Sequence, residues 1–107
     1  MAGLYFEQFE IGQVIQHEIR RTVTDMDNIL FSSLTYNPAA IHIDHDYASR
    51  TEYGKPLMNS IFTLGLVMGL SIQDTTLGTT VGNLGMTETV FPKPVFAGDT
   101  IRAETRI

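Results

Sequence analysis

The stretch Asn59–Gln73 reads NSIFTLGLVMGLSIQ, and at helical spacing its apolar side chains leave no clean polar face. We predict one long helix over about residues 60–73, and a helix that is apolar all round is buried all round. In a chain of 107 residues the simplest cover for it is a sheet wrapped around it, which predicts an α+β fold. Gly65 and Gly69 would let the helix backbone approach that sheet closely. The apolar residues are Ile61, Phe62, Leu64, Leu66, Val67, Met68, Leu70 and Ile72.

The residues before this helix predict shorter elements. Loose alternation with β-branched residues favours a strand over residues 14–23, after a short lead-in. Thr24 followed three residues later by Asp27 resembles a capping box, so we expect a helix near residues 25–34. Residues 35–43 are expected to be irregular, because the Asn37-Pro38 pair interrupts any helix.

Further along the chain, Asp44 is a plausible N-cap for a short helix that ends at Arg50. Residues 79–91 are expected to form one strand and residues 101–107 a second, half-buried one. The chain stops inside the alternating pattern of that last strand. We therefore expect residues 1–107 to form a single domain that is C-terminally incomplete.

Composition excludes several classes of protein. The formal net charge is -5 and no basic run occurs, which argues against nucleic acid as a partner. Without cysteine the chain has no disulfide, no cysteine-ligated metal and no thiol nucleophile. No secretory signal is visible, and the longest apolar run, Ile61–Leu70, is about half of a membrane span. These features predict a soluble, cytoplasmic domain that does not enter a membrane.

The candidate catalytic residues lie in LTYNPAAIHIDHDYA, residues 34–48, where Asn37 stands five residues before His42. Imidazole titrates near neutral pH, so His42 is a candidate acid–base group, while Asn37 cannot ionise and could only orient water or a hydroxyl. A structural role for His42 stays open. So does a metal site with Asp44, His45 and Asp46, although neighbours on one short segment seldom converge on one ion. We expect no metal.

The start of the long helix is the second candidate. A helix beginning at Asn59-Ser60 leaves unpaired N–H groups that favour a developing negative charge. Asn59 could equally be an ordinary N-cap. His17, in the first predicted strand, has no obvious companion, so we expect a surface or interface histidine.

Four motifs occur in an order that resembles the MaoC-like dehydratase family of hot-dog folds: YFEQFEIGQVI, NPAAIHIDHDYA, GKPLMNSIFTLGLVMGL and FPKPVFAGDTIRAE. The resemblance covers roughly residues 5–107. It implies an antiparallel sheet wrapped around the central helix, with the last strands missing. It also implies hydration or dehydration of acyl-CoA thioesters, with coenzyme A as part of the substrate and no further cofactor.

The resemblance also implies roles for individual residues. His42 matches the family's histidine, and Asn37 stands where the family usually has aspartate. Asn59-Ser60 replaces the usual His-Gly, so the Ser60 amide is the expected oxyanion donor. The substitutions resemble one branch in particular, the mesaconyl-CoA hydratase or β-methylmalyl-CoA dehydratase type. In the dehydration direction His42 would remove the α-proton and then protonate the leaving hydroxyl.

Expected partners follow from the same resemblance. Arg50, Lys55 and Lys93 are the cations near the motifs, with Asn59 a further candidate for substrate binding, although each cation could be ordinary surface charge. Hot-dog domains usually pair, which implies a homodimer or a larger homo-oligomer. A non-catalytic subunit that binds acyl-CoA or completes a partner's site is the alternative function.

Overall fold

The computed structural model describes residues 3–107, so Met1 and Ala2 of the predicted lead-in and domain lie outside the described residues. It is an α+β arrangement with short antiparallel strand pairs and one long helix, as predicted. The helices are α1 (Asp25–Leu34), α2 (Ala40–Ile43), α3 (His45–Ser49) and α4 (Ser60–Thr75), after a 3-10 turn at Phe6–Gln8. The strands are β1 (Val14–Gln16), β2 (Arg21–Thr22), β3 (Thr100–Ile101) and β4 (Glu104–Arg106).

The predicted strand over residues 14–23 is divided into β1 and β2. β1 pairs with β4 and β2 with β3, both antiparallel, with Gln16 opposite Glu104 and Arg21 opposite Ile101. From one pair to the other, the first segment advances five residues, from Gln16 to Arg21, whereas its partner segment spans only three, from Ile101 to Glu104. The two extra residues form a bulge, which interrupts the ladder and bends the strand. The predicted strand over residues 101–107 is divided at the same place.

The helix predictions before α4 are confirmed with one omission. α1 begins at its predicted capping box, where the Thr24 side chain accepts from the Asp27 N–H and Asp27 accepts from the Thr24 N–H. Asp44 is the N-cap of α3 and accepts from the Tyr47 N–H at 2.9 Å. Residues 35–43 are not wholly irregular, because the single turn α2 forms after Pro38, where proline no longer restricts the backbone.

The long helix forms as predicted, but its predicted complete burial is wrong for this chain. Only Leu70 and Thr75 of α4 are buried, while Ile61 is 57% and Met68 is 40% exposed. Apart from the helix's own nearby backbone, no atom lies within 4 Å of a Cβ placed on Gly65 or Gly69, so close packing of these glycines is also not seen among residues 3–107. The strands are too short to wrap a helix of 16 residues.

The predicted strand over residues 79–91 is wrong. The chain from residue 80 to residue 95 forms no strand, and residues 80–94 are exposed. A strand needs a neighbour for its backbone hydrogen bonds, and residues 3–107 offer this segment no neighbouring strand. Pairing resumes only at its end, where Leu57 and Phe96 form an isolated antiparallel bridge.

His17 is buried, which contradicts the expected surface or interface position. Its Nδ1 lies 2.7 Å from Asp74 Oδ2 on α4, and its Nε2 lies 2.7 Å from Thr105 Oγ1 on β4. The imidazole thereby joins the last turns of α4 to the β1–β4 pair. The companion residues are 57 and 88 positions away, so no local pattern could indicate them. The buried apolar residues are Val23, Ala48, Met58, Leu70 and Ala103.

Candidate active site

The segment Leu57–Asn59, which leads into α4, has backbone groups bound by three other parts of the chain. The Leu57 N–H donates to Ile41 O on α2 at 3.0 Å, and the Met58 N–H donates to Val95 O at 2.9 Å. Helix α1 binds the Leu57 carbonyl and the Asn59 N–H through Asn28. Because these backbone groups have protein partners, the segment holds the start of α4 in a defined position.

His42 is held by that same segment. Its Nδ1 lies 2.6 Å from the Leu57 carbonyl oxygen. A carbonyl can only accept, so Nδ1 must carry the proton and the neutral ring keeps its lone pair on Nε2. His42 belongs to α2, and it is half-buried. This tautomer makes Nε2 the available base, which is the arrangement that an acid–base histidine requires.

Asn28 is 1% exposed and uses both ends of its amide. Its Nδ2 donates to Leu57 O at 3.0 Å and its Oδ1 accepts from the Asn59 N–H at 2.9 Å. Asn28 and His42 therefore share one carbonyl as their acceptor. Asn28 was not singled out from the sequence, where it is one polar residue in an ordinary helix.

The helix start has the form of an N-cap. Asn59 is 4% exposed, its Oδ1 accepts from the Ile61 N–H at 3.0 Å, and its Nδ2 donates to Ser32 Oγ at 3.3 Å. The capping interpretation of Asn59 is confirmed. Since the cap is directed at Ile61, it does not use the Ser60 N–H, which can still bind a ligand.

Asn37 is fixed by its own turn. Its N–H donates to Ser32 O at 2.8 Å, and its Oδ1 accepts from the Ala39 N–H at 3.0 Å. The preceding residue, Tyr36, has φ of 55°. This left-handed conformation lets the chain change direction after the end of α1. The acceptor end of the Asn37 amide is thus engaged locally, and its Nδ2 is the end suited to a ligand. Ser32 links Asn37 and Asn59 through one residue of α1.

A cavity of about 670 Å³ lies between the first half of α4 and the segment 89–95. It is of the size that small-molecule sites have. Ser60 is part of its wall, and so are Leu57 and Met58 from the segment before α4. The remaining lining residues are Tyr53, Thr63, Leu64, Val67, Thr89, Val90, Phe91, Pro92, Lys93, Pro94 and Val95.

The three predicted substrate-binding cations lie in different surroundings. Lys93 lines the cavity. Lys55 Nζ lies 4.7 Å from the centre of the Phe96 ring, a cation–π contact. Arg50 pairs with Asp46 at 2.5 Å, both side chains being largely exposed. Of the three, only Lys93 contacts the cavity.

The alternative metal site has no geometric support in residues 3–107, where no three His, Asp or Glu side chains lie close enough to hold one ion. His45 instead lies 3.3 Å from Asp25 in an exposed pair. Asp44 is occupied as a helix cap.

Comparison with known proteins places the chain in a family. The family model described as "MaoC like domain" matches residues 6–107. The chain therefore belongs to the MaoC-like domain family.

Individual relatives agree with this assignment. The chain is 32% identical over 106 residues to the mesaconyl-CoA hydratase of Cereibacter sphaeroides, covering 99% of this chain and 31% of that protein. It resembles the X-ray structure of a monoamine oxidase regulatory protein from Archaeoglobus fulgius, with a TM-score of 0.82 and 30% identity, covering 97% of this chain and 70% of that one. The MaoC-like dehydratase from Rhodospirillum rubrum gives a TM-score of 0.82 at 23% identity, covering 98% and 70%.

These likenesses confirm the predicted hot-dog fold of α+β class. They also show that the chain spans less than a third of the length of the first curated relatives that it matches. Among the described residues, none of the helices has the length and apolar character needed to cross a membrane.

Proposed function

We propose that this domain adds water reversibly across the double bond of an α,β-unsaturated acyl-CoA, with a branched or dicarboxylic acyl group such as mesaconyl. The observation that carries the proposal is the Leu57 carbonyl. It accepts from His42 Nδ1, which leaves Nε2 basic, and it belongs to the segment that leads into the N-terminus of α4. The same segment thereby holds His42 through the Leu57 carbonyl and leads to the Ser60 N–H. Leu57, Met58 and Ser60 line the cavity of about 670 Å³, whereas His42 and Asn37 are not among its lining residues.

In the dehydration direction, His42 Nε2 takes the proton from Cα of a 3-hydroxyacyl thioester. The electron pair moves into the thioester carbonyl, whose oxygen gains negative charge. The Ser60 N–H, at the positive end of the α4 dipole, stabilises that oxyanion. The protonated His42 then gives its proton to the leaving hydroxyl, so the double bond forms and water departs. Hydration runs through the same steps in reverse.

Asn37 has an orienting role in this scheme. Its amide does not ionise at neutral pH and so cannot act as an acid or a base, and its Oδ1 is used by the Ala39 N–H. The Nδ2 donor can hold the hydroxyl or water oxygen in line with Cβ. One base that serves both proton transfers requires syn stereochemistry, and hydration in deuterium oxide reports it through the relative configuration at Cα and Cβ. An anti product would rule out the single-base mechanism.

The anionic part of the substrate is assigned to Lys93, the only cation among the residues that line the cavity. A coenzyme A phosphate or a second carboxylate of the acyl group would suit it equally. Two relatives carry names of this chemistry, a mesaconyl-CoA hydratase and a β-methylmalyl-CoA dehydratase.

We further propose that the protein is a cytoplasmic homodimer or larger homo-oligomer.

A non-catalytic subunit is the second candidate. Asn37 favours it, since the residue cannot ionise and its acceptor oxygen is used within its own turn. In that case the cavity would bind acyl-CoA, or complete a partner's site, without turnover.

The deciding measurement is the loss of enoyl-thioester absorbance with mesaconyl-CoA and with crotonyl-CoA. His42→Ala is the test variant, and His45→Ala, in the exposed pair with Asp25, is its matched control. We expect wild type and His45→Ala to consume mesaconyl-CoA faster than crotonyl-CoA, and His42→Ala to be silent. If folded wild-type protein binds either thioester without consuming it, the hydratase proposal fails and the subunit function replaces it.

A further inference from the structure

We propose that Asn28 is the positioning residue of this site: it holds the carbonyl that sets the His42 tautomer and, with the other end of the same amide, the backbone that begins α4. The proposal deepens the hydratase function and rests on it for its catalytic meaning. The expected effect of Asn28 on the His42 tautomer depends only on the hydrogen bonds to Leu57 O, and not on the hydratase function.

Asn28 and His42 donate to the same carbonyl oxygen. A carbonyl oxygen has two lone pairs, and the Leu57 oxygen receives two donors, Asn28 Nδ2 at 3.0 Å and His42 Nδ1 at 2.6 Å. The Asn28 donor orients this oxygen and leaves one lone pair for the imidazole. Without Asn28, the peptide could rotate and the imidazole would lose its aligned acceptor.

The oxygen end of the Asn28 amide binds the backbone before α4. Asn28 Oδ1 accepts from the Asn59 N–H at 2.9 Å, one residue before the proposed oxyanion donor at Ser60. A planar amide fixes its donor and its acceptor in one rigid group. Asn28 therefore fixes the distance between the carbonyl that holds the base and the helix start that holds the oxyanion.

Asn28 is itself held in a buried position. The side chain is 1% exposed, so bulk water cannot substitute for its partners. It lies on the first turn of α1, whose start is fixed by the capping box of Thr24 and Asp27. A side chain that is buried, doubly bonded and mounted on a capped helix is suited to positioning other groups.

The position of Asn28 requires a side chain that both donates and accepts a hydrogen bond. Leucine has similar size but neither donates nor accepts, and an ionised carboxylate accepts without donating. A protonated carboxyl can do both. Asn28→Asp should therefore reproduce the amide below the pKa of the new carboxyl and lose the Leu57 contact above it.

The direct test is the protonation of the two His42 ring nitrogens, measured by long-range 1H–15N correlation NMR, with His42→Ala to assign the signals. We expect wild type to carry the proton on Nδ1. Asn28→Ala should shift the ring toward a mixture of the two tautomers. Val23→Ala, which removes a fully buried apolar side chain, is the control for lost stability without lost hydrogen bonds.

The second readout is kinetic. Asn28→Ala should lower kcat roughly tenfold to a hundredfold, as removal of supporting hydrogen bonds does at other sites, with KM nearly unchanged. For Asn28→Asp, the ratio of its kcat to that of wild type should fall as pH rises through the pKa of the new carboxyl. Val23→Ala should keep the wild-type pH profile.

The outcomes separate the two proposals. If wild type has no hydratase activity, the proposed function fails, while the NMR measurement still decides the role of Asn28. If His42 keeps its Nδ1 proton in folded Asn28→Ala, or if Val23→Ala alters the tautomer equally, the positioning role is refuted. If Asn28→Ala does not fold, the same NMR measurement on Asn28→Asp decides: a His42 tautomer that does not change as pH rises through the pKa of the new carboxyl would refute the role.

Discussion

At the scale of single residues, the candidate site depends on one backbone carbonyl. Leu57 O accepts from His42, 15 residues earlier, and from Asn28, 29 residues earlier. The side chain of Leu57 has no part in either bond. Substitutions at Leu57 that keep its backbone geometry should therefore be tolerated better than substitutions at Asn28, whose amide is the contact.

Asp27 belongs to the same scale and makes folding sensitive to acid. Its carboxylate accepts two hydrogen bonds from Arg21, at 2.7 and 3.0 Å. The Arg21 hydrogen bonds, more than the Thr24 contacts, hold the pKa of Asp27 below its usual value, although partial burial opposes them. Because the folded state has the lower pKa, this stabilisation is complete above about pH 4, the pKa of an unfolded aspartate. It is lost as pH falls through the lowered pKa.

Urea unfolding of wild type and Arg21→Gln between pH 7 and pH 3 measures this effect. We expect the variant to be less stable at neutral pH and the difference to shrink in acid. Arg20→Gln changes an exposed neighbour and should behave as wild type. A difference between wild type and Arg21→Gln that stays constant down to pH 3 would show that the pair with Asp27 is not its source.

At the scale of elements, helix α4 is rich in apolar residues, but the rest of the chain buries them only in part. Its N-terminus is fixed by the Asn59 cap and its C-terminal turns by His17, which binds Asp74. Its middle has few neighbours among residues 3–107, where Met68 stays exposed and nothing lies within 4 Å of a Cβ added at Gly65 or Gly69. The two ends of the helix are thus positioned by polar contacts, while its apolar surface is only partly covered in the single chain.

Gly69→Ala tests whether that surface is free. With nothing within 4 Å of an added Cβ, alanine should raise the free energy of unfolding by about 0.5–1 kcal/mol, since glycine is costly inside a helix. Thermal unfolding of the purified protein measures it. Gly3→Ala is the contrasting control, because its Cβ would overlap Leu77 O. A destabilised Gly69→Ala would mean that another surface packs against this glycine in solution.

At the scale of the whole molecule, the single chain is more extended than a compact domain. Its radius of gyration is 16.1 Å, whereas a compact chain of this length has about 13 Å. The exposed segment over residues 80–94 contributes to this extension and carries several apolar side chains. They are Val81, Leu84, Met86, Val90 and Phe91. Uncovered apolar surface of this kind is typical of an interaction site.

We therefore expect concentration-dependent association, measured by sedimentation velocity. Met68→Glu, on the exposed part of α4, should shift the protein toward monomer because it places a charge in the uncovered surface. Ile11→Glu alters an exposed apolar residue in the turn before β1 and should leave association unchanged. A wild type that stays monomeric at all concentrations would contradict the proposed homo-oligomer.

Local signals predicted the local parts of this molecule well. The Thr24 and Asp27 pair marked the start of α1, Asp44 marked α3, and the apolar run located α4 within two residues at its C-terminal end. These succeeded because caps and helical periodicity involve residues three or four positions apart. The strand over residues 79–91 failed because a strand exists only beside a partner, which the sequence of the segment does not name.

The sequence by itself determined the α+β class, the family motifs, and the candidates His42, Asn37 and the Asn59-Ser60 helix start. Only the tertiary structure decided which nitrogen of His42 is basic, that Asn28 holds both sides of the site, and that His17 is buried against Asp74. The physical reason is distance along the chain. Caps and periodicity are properties of neighbouring residues, whereas a shared carbonyl or a buried imidazole pair exists only once segments tens of residues apart have packed together.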